Sequence, residues 1–176
     1  MNTDKVEQFL TIFSEALAAT VEPHLFTTER GYQGHLMAEL RARLKELGLP
    51  GDPIIEQEYQ KTMPLHGITI RPDLIIHIPF DRDSTVDRTQ GNFVAIEIKV
   101  DATQRKAQDA FGSLQIISKA LRYPLTIFLN VGSCQTYATL CPVTISAHTV
   151  CFAVQLIEGI PRIVMEGGRG LRAVPG

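Results

Sequence analysis

No stretch of this chain stays apolar for the roughly 18 residues that a membrane-spanning helix needs, so the sequence contains no candidate span. The opening residues, Met1 to Gln8, are polar and carry acids, which does not fit a secretory leader. Cysteine is scarce. Cys134, Cys141 and Cys151 are three in number, too few and too odd for a disulfide framework, and a reducing cytoplasm is the expected setting. Charge of one sign is also lacking: 17 basic residues against 19 acidic ones give a formal net charge of −2. That argues against broad, sequence-blind adhesion to nucleic acid, although a local basic rim can still meet phosphates. Internal repeats and low-complexity segments are missing as well.

What is present suits one domain. The chain has 176 residues, 44% of them apolar and 20% charged, enough to bury a core. Residues 4–20 read as a helix with Val6, Phe9, Leu10, Phe13, Ala16 and Leu17 on one face, ended by Pro23. A second helix is expected from Gly34 to Leu47, with Leu36, Met37, Leu40, Leu44 and Leu47 as its stripe and Gly48-Leu49-Pro50-Gly51 as its stop. Ile54–Gln60 reads as a strand, Met63–Gly67 as a turn, and Ile68–Ile78 as the returning strand. A polar loop, Asp81–Asn92, leads to the strand Phe93–Val100. Asp101 is the expected N-cap of a helix to Leu121, with Gln104 as its capping-box partner. Leu125–Val131 is a β-branched and aromatic strand. Thr149–Ile157, a turn over Glu158–Pro161 and Arg162–Met165 form a hairpin, and the Gly- and Arg-rich tail is expected to fray. The order helix, strand, strand, strand, helix, strand predicts an α/β fold: a mixed sheet flanked by helices, with an added N-terminal helix and C-terminal hairpin.

Three charged residues interrupt the most apolar strands. Asp73 follows Pro72 in the first, and Glu97 and Lys99 lie in the second. Charges are seldom buried unless paired or bound to a metal. Side chains alternate along a strand, so Glu97 and Lys99 share a face, and the Ile98 carbonyl lies between them. If the two strands pair, Asp73 can face Glu97. Two carboxylates and a carbonyl are hard oxygen donors of the kind Mg²⁺ takes. A lysine beside a cation and its water suits phosphodiester hydrolysis, by helping proton removal or by stabilising charge on phosphorus-bound oxygens.

Pro72-Asp73 and Glu97-Ile98-Lys99, on strands within the order α-β-β-β-α-β, resemble the PD-(D/E)xK, or restriction-endonuclease-like, nuclease superfamily over roughly residues 31–131. The resemblance implies that Asp73, Glu97 and the Ile98 carbonyl bind Mg²⁺, with Mn²⁺ as a substitute, and that Lys99 assists attack on DNA. It implies further that Glu39, on the helix before the sheet, adds an acid to the metal site, and that Gln115, on the helix after the lysine strand, positions substrate. A homodimer is a reasonable expectation, since duplex cutters often need two sites. The alternative is a catalytically silent module of the same fold that binds nucleic acid or a protein. A small-molecule hydrolase using the same carboxylates is a third reading.

Plainer roles compete for each residue. Asp73 can cap a turn after Pro72, and Glu97 with Lys99 can be the solvent-facing half of a strand. Glu39 can pair with Arg43 one turn on. Gln115 shares a flank of its helix with Gln104, Gln108 and Lys119, and can be a surface residue. Glu56 and Glu58 suit either the site or a charged edge strand. His77 and His35 suit either the site or, more commonly, ordinary packing. Cys134, Cys141, His148 and Cys151 lack the paired spacing of usual zinc modules. Arg30-Gly31-Tyr32-Gln33-Gly34 stands before a helix without matching a phosphate-loop pattern. Arg105 and Lys106 can line a phosphate track or lie on a solvated helix face.

Overall fold

The computed structural model describes residues 3–48, 53–57, 69–78, 89 and 91–167. Among them run three helices, α1 (Thr3–Ala18), α2 (Glu29–Leu44) and α3 (Gln104–Leu121). Six strands accompany them: β1 (Ile54–Gln57), β2 (Leu74–His77), β3 (Asn92–Val100), β4 (Leu125–Val131), β5 (Thr149–Ile157) and β6 (Ile160–Gly167). The strands form one mixed open sheet in the order β1-β2-β3-β4-β5-β6. β1, β2 and β3 meander antiparallel, β3, β4 and β5 are parallel, and β6 returns antiparallel beside β5. None of the described helices is long and apolar enough to cross a membrane.

The sheet is covered on both faces. Ile96 and Ile98 of β3, with Leu125, Ile127 and Leu129 of β4, pack against the stripes of α1 and α2. Phe9 meets Phe93 edge-on at 5.5 Å and Phe13 lies 4.9 Å from Phe152, so α1 spans the sheet from β3 to β5. Each such ring, fully buried, contributes on the order of 1.5–3 kcal/mol. The other face holds α3. Ala107, Phe111 and Leu114 pack on Phe128 and Cys151, and Ile117 and Leu121 on Ile75 and Ala95. The α3 crossover makes β3 and β4 parallel, and β4 is buried at every position, as a central parallel strand must be.

Four sequence-based boundaries are corrected. The strand expected over Ile68–Ile78 is shorter: β2 spans only Leu74–His77, so Asp73 precedes it. α2 begins five residues before Gly34, because Thr28 is its N-cap and accepts a hydrogen bond from Gly31 N at 3.1 Å. A Cβ on Gly31 would come within 2.7 Å of the Thr28 hydroxyl, so this glycine makes room for a cap and does not break the helix. The last turn, Lys45–Leu47, tightens to a 3₁₀ helix that ends at Gly48 with φ +52°. The cap of α3 is Thr103, whose hydroxyl accepts from Lys106 N at 3.3 Å, and not Asp101. Asp101 instead takes a left-handed conformation (φ 45°) and donates its N–H to Val131 O at 2.8 Å, turning the chain out of the sheet. In the hairpin, the turn is Glu158-Gly159 alone and β6 already starts at Ile160, with Pro161 opposite Leu156 in the register. The Met63–Gly67 turn, Glu58, most of the Asp81–Asn92 loop and the tail beyond residue 167 lie outside the described residues.

The assignment of the α3 cap is testable. Thr103→Ala should lower unfolding free energy by about 1 kcal/mol in urea titrations, and Asp101→Asn, which tolerates the left-handed region, by less than about 0.5 kcal/mol. A loss well under about 0.5 kcal/mol in Thr103→Ala would remove Thr103 from the cap.

Candidate active site

β2 and β3 end out of step, and the candidate site lies in the resulting notch. Leu74, the first residue of β2, pairs with Ile96, while β3 continues to Val100. Beyond Ile96, β3 therefore has no β2 residue opposite it. Its edge groups there are met by side chains. The Asp73 carboxylate accepts from Ile98 N at 2.6 Å, and Lys99 Nζ donates to Ile98 O at 2.7 Å. The register places Asp73 across from Glu97, as the pairing of the two strands requires.

α2 supplies another wall of the notch. Glu29 and Gln33 are one turn apart on the same helix face. Glu29 Oε2 lies 3.4 Å from Lys99 Nζ, and the Gln33 side-chain amide donates to the Asp73 carbonyl. Neither residue is a candidate from the sequence, where α2 is expected to begin only at Gly34. The signal is nevertheless present in Thr28-Glu29: a capping hydroxyl followed by an acid in the first turn, where the helix dipole favours negative charge.

Lys99 Nζ stands among the acids, 3.4 Å from Glu29, 3.6 Å from Asp73 and 3.8 Å from Glu97. The Glu97 side chain is only 6% exposed, and its Oε1 has no hydrogen-bond partner. Burial pushes the Glu97 carboxyl well above the ordinary range, and the adjacent Asp73 carboxyl pushes it further, with Lys99 opposing. Asp73 is raised too, chiefly by burial, against the pull of Lys99 and the Ile98 N–H. Burial disfavours the Lys99 charge, but Asp73, Glu97 and Glu29 outweigh it and hold the ammonium above its usual value. Three carboxyl groups thus share one cation, and Glu97 is the deepest of them.

Asp73, Glu97, Ile98 and Lys99 come together as the sequence suggests. The carboxylate of Glu39 accepts from Arg43. It lies ten residues along α2 from Glu29, roughly 15 Å of helix. The helix acid beside Lys99 is Glu29. Gln115 donates to Thr144 Oγ1 at 2.7 Å and, with the 3.2 Å contact between Ser118 and His148, ties α3 to the segment before β5. His77 Nε2 pairs with Glu56 Oε2 at 2.6 Å across β1 and β2. Of the four zinc-type residues, Cys134 is exposed, Cys151 is buried in the α3 layer and His148 faces Ser118.

Among the described residues, no group of three or more His, Cys, Asp or Glu side chains is arranged as a ready ligand shell for a metal ion. The acids converge on Lys99 instead. The donor set nevertheless fits a hard divalent cation: carboxylate oxygens, a main-chain carbonyl, and a buried carboxyl oxygen without a partner. Compared with family models, curated proteins and solved structures, the chain matches none.

The Glu97 environment predicts a pH dependence of metal-free stability. An acid whose folded pKa is raised binds its proton more tightly when folded, so stability is greatest below the unfolded carboxylate value of about 4.3 and falls as pH rises toward the folded value. Glu97→Gln, which cannot ionise, should leave the melting temperature nearly unchanged at pH 4. It should raise it at pH 8, by about 2–4 °C for each kcal/mol relieved in a chain of this size. A gain that is the same at both pH values would place the strain elsewhere.

Proposed function

We propose that the protein is a metal-dependent deoxyribonuclease of the PD-(D/E)xK type. One observation carries this reading. Two carboxyl groups, Glu97 of β3 and Asp73 from the chain just before β2, meet beside the Lys99 ammonium in a notch where one buried carboxyl oxygen is unpartnered. The order α2-β1-β2-β3-α3-β4 supports it, since it repeats the α-β-β-β-α-β order that the resemblance implies.

Asp73, Glu97 and the Ile98 carbonyl are the groups that would hold Mg²⁺ or Mn²⁺, with Glu29 taking the place first expected of Glu39. The cation, when bound, supplies a lowered pKa to its water and a polarised phosphoryl oxygen. The chain's own groups do the positioning. The Ile98 N–H and the rest of β3 fix the Asp73 carboxylate, and Gln33 fixes the backbone that carries it. Lys99, on a flexible four-carbon stem, delivers positive charge to the oxygens on which charge grows as the phosphodiester is attacked. Arg30, Arg71, Arg105 and Lys106 are all exposed: Arg30 is next to Glu29 and Arg71 two residues before Asp73 in the chain, and Arg105 and Lys106 stand in the first turn of α3, the helix that follows the Lys99 strand. They are the groups proposed to contact phosphates, and such a local rim needs no net positive charge.

The test is cleavage of plasmid and single-stranded DNA with Mg²⁺ or Mn²⁺, stopped by EDTA. Asp73→Asn and Lys99→Ala should each lower the cleavage rate at least about 100-fold, a size typical for loss of a charge-stabilising group. Glu29→Gln should cost more than Glu39→Gln or Gln115→Ala. Wild-type rates in both Asp73→Asn and Lys99→Ala would refute these catalytic roles. DNA binding without cleavage under any cation would favour the silent module.

The phosphate contacts have their own signature. Replacing both Arg105 and Lys106 by Ala should weaken DNA binding for all sequences alike. It should also reduce the slope of log affinity against log salt by about 2 if each meets one phosphate, with single strands giving the smaller change. Fluorescence anisotropy in a salt series reads this directly.

A further inference from the structure

Lys99 Nζ does not stand beside the oxygen cluster; it stands inside it. Its nearest oxygen is the Ile98 carbonyl at 2.7 Å, and the carboxyl oxygens of Glu29, Asp73 and Glu97 follow at 3.4, 3.6 and 3.8 Å. These are the four groups that the nuclease reading gives to a divalent cation. A divalent cation held by these groups would need the oxygens that the ammonium now engages. Two cations confined to one cluster repel strongly in a partly buried site.

We propose that the Lys99 ammonium and a divalent cation compete for this one set of oxygens. Lys99 is then a tethered counter-ion that must leave the Ile98 carbonyl before the cation binds. The inference rests on the nuclease reading, and it assigns Lys99 a role before any chemistry starts. The lysine side chain is 20% exposed, so its flexible stem has a way out of the cluster toward solvent. The cluster also explains why the exchange is needed. Glu97 is buried beside Asp73 and has no other strong cation close by among its described partners, so the acids hold the ammonium until a stronger cation replaces it. Loading and lysine release become one event: the ammonium is set free to meet a phosphate only once the oxygens have another partner.

The experiment is Mn²⁺ binding to the metal-free 176-residue chain by isothermal titration calorimetry at fixed pH and ionic strength. It compares wild type with Lys99→Ala, Lys99→Gln and, as a control, Glu39→Gln. Removing a cation a few ångströms from the ligands should tighten Mn²⁺ binding about tenfold or more in both Lys99 variants. Their melting temperatures should rise further than wild type's at a given Mn²⁺ concentration. Glu39→Gln should match wild type. Lys99→Gln keeps a polar group at the Ile98 carbonyl and serves if Lys99→Ala does not fold. Mn²⁺ binding by the variants but not by wild type would be the same result in stronger form. Equal or weaker binding in folded Lys99 variants, with wild type binding Mn²⁺, would overturn the competition and leave the nuclease reading standing. Absence of Mn²⁺ binding in wild type and variants alike would overturn the nuclease reading and this inference with it.

Discussion

The bond from Ile98 N to the Asp73 carboxylate does for the sheet what a further pair of β2 residues would otherwise do. A backbone N–H at the end of a buried strand must find an acceptor, and an unsatisfied one costs on the order of 1–3 kcal/mol. Here the acceptor is a charged side chain from the chain entering β2. That choice fixes the Asp73 carboxylate in space and brings it against Glu97. It also leaves the Ile98 carbonyl for Lys99. The notch is therefore a consequence of strand lengths: β2 starts late, β3 runs long, and polar side chains finish the ladder.

The electrostatics follow from the same geometry. A carboxyl group buried as deeply as Glu97 is tolerable when it holds a proton or shares a cation, and the notch offers both. Burial and the neighbouring Asp73 carboxyl favour the protonated form of Glu97, and Lys99 opposes them. The apolar halves of the strands bear the cost of keeping these groups in place. Ile96 and Ile98 are fully buried under α2, and α2 in turn carries Glu29 and Gln33 to the same notch. The helix that packs the core and the helix that completes the polar cluster are one element.

Much of this is legible in the sequence, and for identifiable reasons. Dense apolar, β-branched runs locate β3 and β4, and the helical spacing of Ala107, Ala110, Phe111, Leu114, Ile117 and Leu121 matches the buried face of α3. The pairing of Asp73 with Glu97 follows from two apolar runs, each interrupted by an acid. What fails is local. Gly31 and Gly34 make the start of α2 look like a hinge, which hides Glu29 and Gln33 and promotes Glu39. Glu39 has a private partner four residues away in Arg43. Spacing on a helix gives angle but not which turn reaches the site, and so it does not choose between acids ten residues apart. Gln115 shows the same limit: its flank is right, but its contact is Thr144, from a segment whose path no periodicity indicates.

The outer strand β6 has a consequence for how copies of this chain can meet. A strand at the border of a sheet offers unpaired amide groups to any similar strand, and sheets join through such borders. Pro161 has no N–H to give, and its ring sits in the first turn-proximal part of β6 beside the exposed Arg162. Continuous sheet extension along that rim is thereby interrupted at one end by a missing donor and a positive charge. Crowded chains held together by their flanks would have to align around the defect, so this border favours separate molecules over stacked ribbons.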